Sequence, residues 1–205
     1  ARGAKVALIE RGDFACETSQ ESSNLAWGGI KYLESFEFGL VRKLCRSRNH
    51  LMKHYPSTVK EIRFLTTHAK GFRQPRWMLY LGTWIYWLMG NAFTQKPRWL
   101  SLKQMRSEVP VLAESRFDGG IEYSDAYLHD NDARFVFNFV RSALNYGCIA
   151  ANYVESLGAE YVDDQWNIAA VDRISGQEFN LKAGVLLNTC GPYVDAHNRL
   201  TGQKT

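Results

Sequence analysis

The chain has 205 residues, of which 45% are hydrophobic and 22% are charged, a composition that is typical of a folded domain and excludes a disordered segment. Its formal net charge of +4 is too small for the basic surface of a nucleic-acid-binding protein. The four cysteines stand far apart without a C-x-x-C pair, so the sequence predicts no metal site and no disulfide framework, and it favours the reducing cytoplasm.

The first ten residues indicate the end of a helix followed by a complete short strand. Residues 1–3 are typical of a helix end with its glycine cap, and residues 5–10 (KVALIE) of a short buried strand. No signal peptide is predicted, and the longest apolar stretch, residues 77–90, is shorter than the ~20 residues of a membrane-spanning helix. Because a buried parallel strand needs neighbours, we expect this chain to be an internal segment of a longer protein.

Helices and strands alternate along the rest of the chain, which predicts the α/β fold class. Apolar periodicity predicts helices over residues 36–54, 75–89 and 132–145. Strands are predicted over residues 63–67, 120–124, 148–153 and 184–188, and a small antiparallel ribbon over residues 159–179. The first helix carries five basic residues that we interpret as a solvated face: Arg42, Lys43, Arg46, Arg48 and Lys53.

The second predicted helix, residues 75–89, is rich in aromatic side chains. The sequence leaves two interpretations of it open. The aromatic rings form the core of a cap layer, or they lie in a membrane interface, where Trp and Tyr are favoured.

An acidic residue, Glu10, ends the first predicted strand. A carboxylate at this place can accept hydrogen bonds from the ribose of a dinucleotide, although a glutamate there also serves solubility alone. The hydroxyls of Thr18, Ser19, Ser22 and Ser23 follow, and they either solvate a pyrophosphate or belong to an ordinary surface turn. Next comes a pair of glycines at positions 28 and 29, which lack Cβ atoms and so allow the backbone to approach a flat ring and to adopt positive φ.

These features belong to one continuous motif. Residues 15–34 read ACETSQESSNLAWGGIKYLE, and this segment resembles, without a gap, the pattern AxxTSxxSSKLxHGGxRYLE of the FAD-dependent glycerol-3-phosphate dehydrogenase family. The resemblance continues at residues 75–78 (PRWM), 122–126 (EYSDA), 132–136 (DARFV) and 188–194 (NTCGPYV). It therefore covers nearly the whole chain.

The resemblance implies a Rossmann-like FAD-binding domain, formed by residues 1–60 and 127–205, with a partial cap or substrate layer at residues 61–126. The FAD-binding domain would be incomplete, lacking its N-terminal glycine-rich βα unit, so we expect residues 1–205 alone to bind FAD poorly. Lys31 and Tyr32 are the implied substrate contacts. The implied FAD contacts are Glu10, Thr18, Ser19, Ser22, Ser23, Asn24, Leu25, Trp27, Gly28, Gly29, Ser156, Thr189 and Gly191.

Three positions depart from the family pattern, since Asn24 replaces a lysine, Trp27 a histidine and Lys31 an arginine. Lys31 keeps the positive charge that the family uses for the substrate phosphate but loses the bidentate fork of arginine. Trp27 cannot act as a general acid or base, and no catalytic base is assigned.

The activity that the resemblance implies is oxidation of sn-glycerol 3-phosphate to dihydroxyacetone phosphate, with hydride transfer to the flavin and electrons passing to quinone. The family also implies a cytoplasmic protein at the inner face of the cytoplasmic membrane. Two alternatives stay open: a related FAD oxidoreductase acting on another hydroxy or amino compound, and a non-catalytic membrane-surface module of the same fold.

Overall fold

The computed structural model describes residues 3–69, 71–111 and 117–203, so part of the helix end predicted at residues 1–3 lies outside the described residues. The strands are β1 (Ala7–Glu10), β2 (Leu25–Ala26), β3 (Val59–Ala69), β4 (Arg98–Ser101), β5 (Phe117–Leu128), β6 (Ile149–Asn152), β7 (Val154–Val162), β8 (Gln165–Asp172) and β9 (Glu178–Ala183). The α-helices are α1 (Phe38–His54), α2 (Arg76–Met89), α3 (Leu102–Glu108), α4 (Asp132–Leu144) and α5 (Val194–Leu200). This mixture of elements confirms the predicted α/β class.

The chain forms two compact units. The first unit combines Ala1–Ser22 with Asp132–Thr205, and the second is Ser23–Asn131. Residues 23–60 thus lie in one compact unit with residues 61–126. Their assignment to the FAD-binding domain stays a prediction.

The first unit contains a parallel strand pair and an antiparallel sheet. Strand β1 pairs in parallel with β6, from Ala7 opposite Ile149 to Glu10 opposite Asn152. Strands β7, β8 and β9 form a three-stranded antiparallel sheet in chain order. The strands predicted over residues 5–10 and 148–153 are confirmed, and so is the ribbon over residues 159–179.

The strand predicted over residues 184–188 is wrong. Strand β9 ends at Ala183, and the described residues contain no strand that pairs with 184–188. Val185 and Leu187 are 73% and 78% exposed. An apolar run becomes a strand only where a neighbouring strand accepts its backbone hydrogen bonds, and these residues have no such neighbour here.

The second unit is built around the long strand β5. Strand β3 pairs with β5 along its whole length in antiparallel direction, and β2 and β4 also pair with β5. The strands predicted over residues 63–67 and 120–124 are therefore confirmed with wider bounds. One core cluster joins Leu100, Met105 and Phe117, and a second joins Val41, Cys45 and Tyr86.

Helix α1 buries one stripe that includes a charged residue. Val41, Cys45, Arg48 and Met52 recur at helical spacing and are all buried. The interpretation of Arg48 as part of a solvated face is wrong, because its side chain is 2% exposed. The other four basic residues of the helix are exposed, as expected.

Helix α2 has a buried and an exposed face. Tyr86 is 2% exposed and lies in the core, whereas Trp77, Leu81 and Leu88 are 62%, 51% and 60% exposed. The membrane-interface interpretation of the exposed face stays a prediction. Within the ranges 3–69, 71–111 and 117–203, no helix combines the length and the apolar character needed to cross a membrane.

His68, at the end of β3, couples the stability of the second unit to pH. Its Nε2 lies 3.0 Å from the Gln74 carbonyl oxygen, and its Nδ1 lies 2.9 Å from Asp118 Oδ1. These two acceptors, the Gln74 carbonyl first, raise the pKa of His68. The protonated imidazole therefore stabilises the fold below its unfolded pKa of about 6.5, and this contribution is lost as pH rises through the folded pKa.

We expect the substitution His68→Gln to lower the free energy of unfolding more at pH 5.5 than at pH 9. Urea unfolding of the substituted and unsubstituted protein at both pH values measures the difference. His129→Gln is the control, because His129 is exposed in the same unit. Equal losses at the two pH values for His68→Gln would contradict the expected coupling.

Candidate functional site

Glu10 lies at the carboxyl end of β1, beside the parallel strand β6. Its Oε1 accepts a hydrogen bond of 2.8 Å from the Gly12 N–H, which holds the half-buried carboxylate in place. In open α/β sheets, dinucleotides bind at the carboxyl ends of parallel strands. Glu10 thus lies at the end of a parallel strand, as the sequence predicted, and its contact with a ribose stays a prediction.

The hydroxyl-rich segment follows β1, and its part up to Ser22 lies in the same unit. Thr18 and Ser19 lie in a short 3-10 helix, Glu17–Ser19, with Thr18 exposed and Ser19 half-buried. The Ser22 hydroxyl donates a hydrogen bond to the carboxylate of Asp132, the first residue of α4. Of these three predicted FAD contacts, Ser22 is therefore hydrogen-bonded to α4, and Thr18 and Ser19 lie in the segment between β1 and Ser22.

The loop after β1 is brought to the turn that contains Gly191. The Tyr193 hydroxyl donates to Glu17 Oε2 over 3.2 Å, and Arg11 lies 3.6 Å from the other carboxylate oxygen of Glu17. The Arg11 guanidinium also covers the Tyr193 ring at 4.4 Å from its centroid. Two segments far apart in sequence, both predicted to contact FAD, therefore meet in the first unit.

Asn188 shapes the turn that presents Thr189 and Gly191, both of which are exposed. Its Nδ2 donates to the Val194 carbonyl at 3.0 Å, and its Oδ1 accepts from the Cys190 N–H at 3.1 Å. Asn188 was not among the predicted site residues. The signal that could have identified it is an asparagine at the start of a loop, since its side chain often bonds nearby backbone groups.

Ser156 lies in β7, and its hydroxyl is 2.9 Å from His197 Nε2. That hydroxyl is thus engaged within the protein. The FAD contact that the resemblance implies for Ser156 stays a prediction.

The second unit begins with the remaining predicted contacts. Asn24 has φ +57°, a left-handed conformation that asparagine adopts more readily than most residues, and its carbonyl accepts from the Leu128 N–H at 2.8 Å. Leu25, in β2, pairs with Tyr127 of β5. Ser23 is exposed.

Trp27, Lys31 and Tyr32 lie close together on the surface of the second unit. The Trp27 and Tyr32 rings are 5.8 Å apart between centroids, tilted by 44°, and each side chain is 38% exposed. Lys31 is exposed in the 3-10 helix Ile30–Leu33 and forms no ion pair with the residues that the structure describes. The exposed ammonium of Lys31, which precedes Tyr32 in the chain, is suited to an anionic group on a polar ligand.

Gly28 and Gly29 are required by the packing of their own unit. A Cβ at Gly28 would overlap the Tyr86 hydroxyl and lie 3.0 Å from Cys45 Sγ, and one at Gly29 would lie 2.7 Å from Leu44 Cδ1. Gly29 also has φ +80°, the positive value that the sequence allowed for. The protein interior thus accounts for both glycines, and their close approach to a flavin stays a prediction.

A buried polar network lies beneath this glycine pair. Asp125 Oδ1 accepts from the Gly28 N–H at 3.0 Å and from Arg48 Nη1 at 3.2 Å, and Oδ2 accepts from the Tyr86 hydroxyl at 2.8 Å. Arg48 Nη1 also donates to the Tyr86 oxygen over 3.0 Å. Asp125 is 0% exposed, and Arg48 and Tyr86 are each 2% exposed.

Burial dominates the ionisation of this network. It raises the pKa of the Asp125 carboxyl, while the Arg48 guanidinium and the Tyr86 and Gly28 hydrogen bonds oppose that shift. It also raises the pKa of the Tyr86 hydroxyl and of the Cys45 thiol, so both groups are protonated at neutral pH. Sequence reasoning did not identify the network. The sequence feature that could have identified it is the position of Arg48 in line with the apolar residues of α1.

The predicted site residues therefore divide between the two units. The first unit holds Glu10, Thr18, Ser19, Ser22, Ser156, Thr189 and Gly191. The second unit holds Ser23, Asn24, Leu25, Trp27, Gly28, Gly29, Lys31 and Tyr32. Among the described residues, no group of three or more histidine, cysteine or acidic side chains could hold a metal ion.

The chain belongs to the FAD-dependent oxidoreductase family, which it matches over residues 1–205. Within that family it is homologous to glycerol-3-phosphate dehydrogenases. It is 32% identical to the glycerol-3-phosphate dehydrogenase of Pseudomonas tolaasii over 193 residues, which cover 94% of this chain and 36% of that enzyme.

Two further proteins extend the comparison. The D-erythritol 1-phosphate dehydrogenase of Brucella abortus (strain 2308) is 31% identical over 194 residues, 94% of this chain and 38% of that enzyme. The crystal structure of a glycerol-3-phosphate dehydrogenase from Bacillus halodurans, complexed with FAD, has the same fold, with a TM-score of 0.70 at 21% identity. That match covers 97% of this chain and 32% of that structure. The chain thus spans 36–38% of the length of these two curated relatives.

Proposed function

We propose that the protein containing this chain binds FAD and oxidises a phosphorylated polyol, with glycerol 3-phosphate as the first candidate and dihydroxyacetone phosphate as its product. The observation that carries the proposal is the placement of Glu10 at the carboxyl end of a parallel strand, beside the loop of exposed polar groups that follows it. When bound, FAD would accept the hydride from the carbon that carries the hydroxyl group, while a general base would take the hydroxyl proton.

The residues of this chain fit that cofactor by their chemistry. Glu10 would accept hydrogen bonds from ribose hydroxyls, and the loop with Thr18 and Ser19 would donate to the pyrophosphate. Thr189 and Gly191, held by Asn188, would add backbone contacts. Two relatives named for phosphorylated polyols support the substrate class, and Lys31 would supply the cation for the substrate phosphate.

A second candidate substrate follows from Trp27, which replaces the histidine of the family pattern. Its ring packs against the Tyr32 ring, and it cannot act as a general acid or base as a histidine can. A longer phosphorylated polyol, such as the erythritol phosphate named for the Brucella relative, is the alternative, and the name of that relative supports it.

We also propose quinone as the electron acceptor and a location at the inner membrane face. The exposed Trp77, Leu81 and Leu88 of α2 support the membrane location.

The test is an absorbance spectrum of the purified whole protein that contains this chain, followed by anaerobic addition of glycerol 3-phosphate and, separately, of D-erythritol 1-phosphate. Bleaching of the oxidised flavin band identifies the substrate. A flavin that neither compound reduces would overturn the substrate class and favour another hydroxy or amino compound. Absence of flavin would overturn the oxidoreductase proposal and favour a non-catalytic module. Residues 1–205 expressed alone are expected to bind little FAD.

Replacing Lys31 by methionine is expected to raise the KM for the phosphorylated substrate about 10- to 100-fold, the range that corresponds to one charge-assisted hydrogen bond. The physical reason is the loss of the cation that would hold the phosphate. Steady-state kinetics with a dye acceptor measure the effect. Lys43→Met is the control, since Lys43 is also exposed and lies on α1. A KM that changes equally in both variants would contradict a specific role for Lys31.

A further inference from the structure

The turn formed by residues 28–33, the glycine turn, is held from below by buried side chains. The N–H of Gly28 donates to Asp125 Oδ1 at 3.0 Å, and its carbonyl lies 3.6 Å from the Cys45 thiol, which donates to it. Gly28 itself is buried. Both backbone polar groups of this residue are therefore fixed by side chains from other elements.

Asp125 cannot move without breaking several other bonds. Its two carboxylate oxygens accept from Arg48 at 3.2 Å and from the Tyr86 hydroxyl at 2.8 Å. Arg48 is anchored in turn by Asn49 Oδ1, 3.0 Å from its Nη2, and Asn49 donates to the Gly90 carbonyl at 2.6 Å. Strand β5 and helices α1 and α2 thus all contribute to the position of one backbone amide.

The position of Gly28 is transmitted to the exposed residues of the turn. Gly29 has φ +80°, and its carbonyl accepts from the Tyr32 N–H at 3.0 Å, which begins the 3-10 helix Ile30–Leu33. That helix carries Lys31 and Tyr32. A displacement of about 1 Å in a ligand-positioning group is enough to lower activity strongly.

We propose that Asp125 is a positioning residue that fixes the glycine turn, and through it Lys31 and Tyr32, in the geometry that recognises the phosphorylated substrate. The proposal rests on the function proposed above. Asp125 is buried and does not touch the substrate in this scheme. Its effect is carried by the hydrogen bond to Gly28.

The test compares Asp125→Asn with the unsubstituted holoprotein by amide hydrogen exchange and by kinetics. In asparagine, the oxygen that Gly28 and Arg48 share carries no negative charge, and an N–H donor replaces the oxygen that accepts from the Tyr86 hydroxyl, so the bond to Gly28 is weakened. We expect exchange at Gly28 to rise about tenfold, the factor for the lost charge assistance of this hydrogen bond. We expect the KM for glycerol 3-phosphate to rise several-fold while kcat and flavin content change little.

The matched control is Glu122→Gln on the same strand. Glu122 is paired with Arg63 at 3.0 Å and with Arg98 at 3.0 Å, and neither partner belongs to the network under Gly28. This variant should leave exchange at Gly28 and the KM unchanged. If Asp125→Asn does not fold, Tyr86→Phe removes only the hydroxyl that orients Asp125, and it should change both readouts in the same direction by a smaller factor.

Unchanged exchange at Gly28 in the folded variant would overturn the proposal, and so would faster exchange without a change in KM. An equal rise in KM for Glu122→Gln would also overturn it, because the effect would then be general to the strand. A protein without flavin or oxidation activity would instead overturn the proposed function. The exchange rates, which need neither flavin nor substrate, would still show whether Asp125 holds the turn.

Discussion

Replacing Arg48 by methionine is expected to lower the free energy of unfolding of the second unit by about 3–5 kcal/mol, the usual loss when one partner of a buried ion pair is removed. Arg48 and Asp125 are 2% and 0% exposed, so water cannot replace the lost guanidinium. Methionine has a similar length and keeps the packing of the stripe on α1. Urea unfolding monitored by tryptophan fluorescence measures the loss.

Two variants separate the buried charge from other effects of this substitution. Arg46→Met, on the exposed face of the same helix, should change stability by less than about 0.5 kcal/mol. The double variant Arg48→Met with Asp125→Leu should recover much of the loss, because neither charge is then buried alone. A large loss in Arg46→Met, or no recovery in the double variant, would contradict this account.

The pH dependence of the Arg48→Met variant has a definite sign. Burial already raises the pKa of Asp125, and removing the guanidinium that opposes this shift raises it further. An acid whose folded pKa lies above its unfolded pKa stabilises the fold below the unfolded value, about 3.9, and loses that contribution as pH rises. The variant should therefore lose stability more steeply than the unsubstituted protein between pH 4 and pH 7.

Replacing Gly28 by alanine is expected to destabilise the second unit by about 3 kcal/mol, at the upper end of overpacking costs. The added Cβ would overlap the Tyr86 hydroxyl, lie 2.8 Å from Tyr86 Cζ and lie 3.0 Å from Cys45 Sγ. Tyr86 cannot turn away cheaply, because its hydroxyl bonds Asp125 and Arg48. Thermal unfolding measures the loss, and flavin content should fall with it.

The same substitution at Gly82 provides a control of opposite sign. Gly82 lies inside α2, and a Cβ there would meet no heavy atom within 4 Å. Gly82→Ala should stabilise the protein by about 0.5–1 kcal/mol, since alanine loses less backbone freedom in a helix. If both alanine variants were destabilised to the same extent, the steric explanation for Gly28 would not hold.

The long helices could be predicted from the sequence, because the apolar pattern that identifies a helix is contained in the helix itself. The helices at residues 36–54, 75–89 and 132–145 were located to within a few residues because their 3.6-residue apolar period lies within the element itself. The strand at 184–188 was not, because a strand depends on a partner that the pattern of its own residues does not reveal. Its apolar composition alone gave no information on pairing.

Site residues could likewise be predicted where a local sequence motif identifies them, but not where their role depends on contacts with distant residues. The motif at residues 15–34, together with the strand end that precedes it, located Glu10, the hydroxyls and the glycine pair in sequence. It gave no indication that the compact units divide between Ser22 and Ser23. The role of Arg48 was also missed, because five basic residues on one helix indicated a solvated face. Only the three-dimensional contact with Asp125, on a distant strand, explains why one of the five is buried.

The antiparallel sheet of β7, β8 and β9 has a consequence for the order in which the chain folds. Each of its strands pairs with the next one in sequence, through turns at residues 163–164 and 173–177. Strand β1 must instead find β6 across most of the chain. Closing a short loop costs less entropy than closing a long one, so we expect the three-stranded sheet to form early and the β1–β6 pair to join late. The carboxylate of Glu10 would then reach its final place only in the last stage of folding.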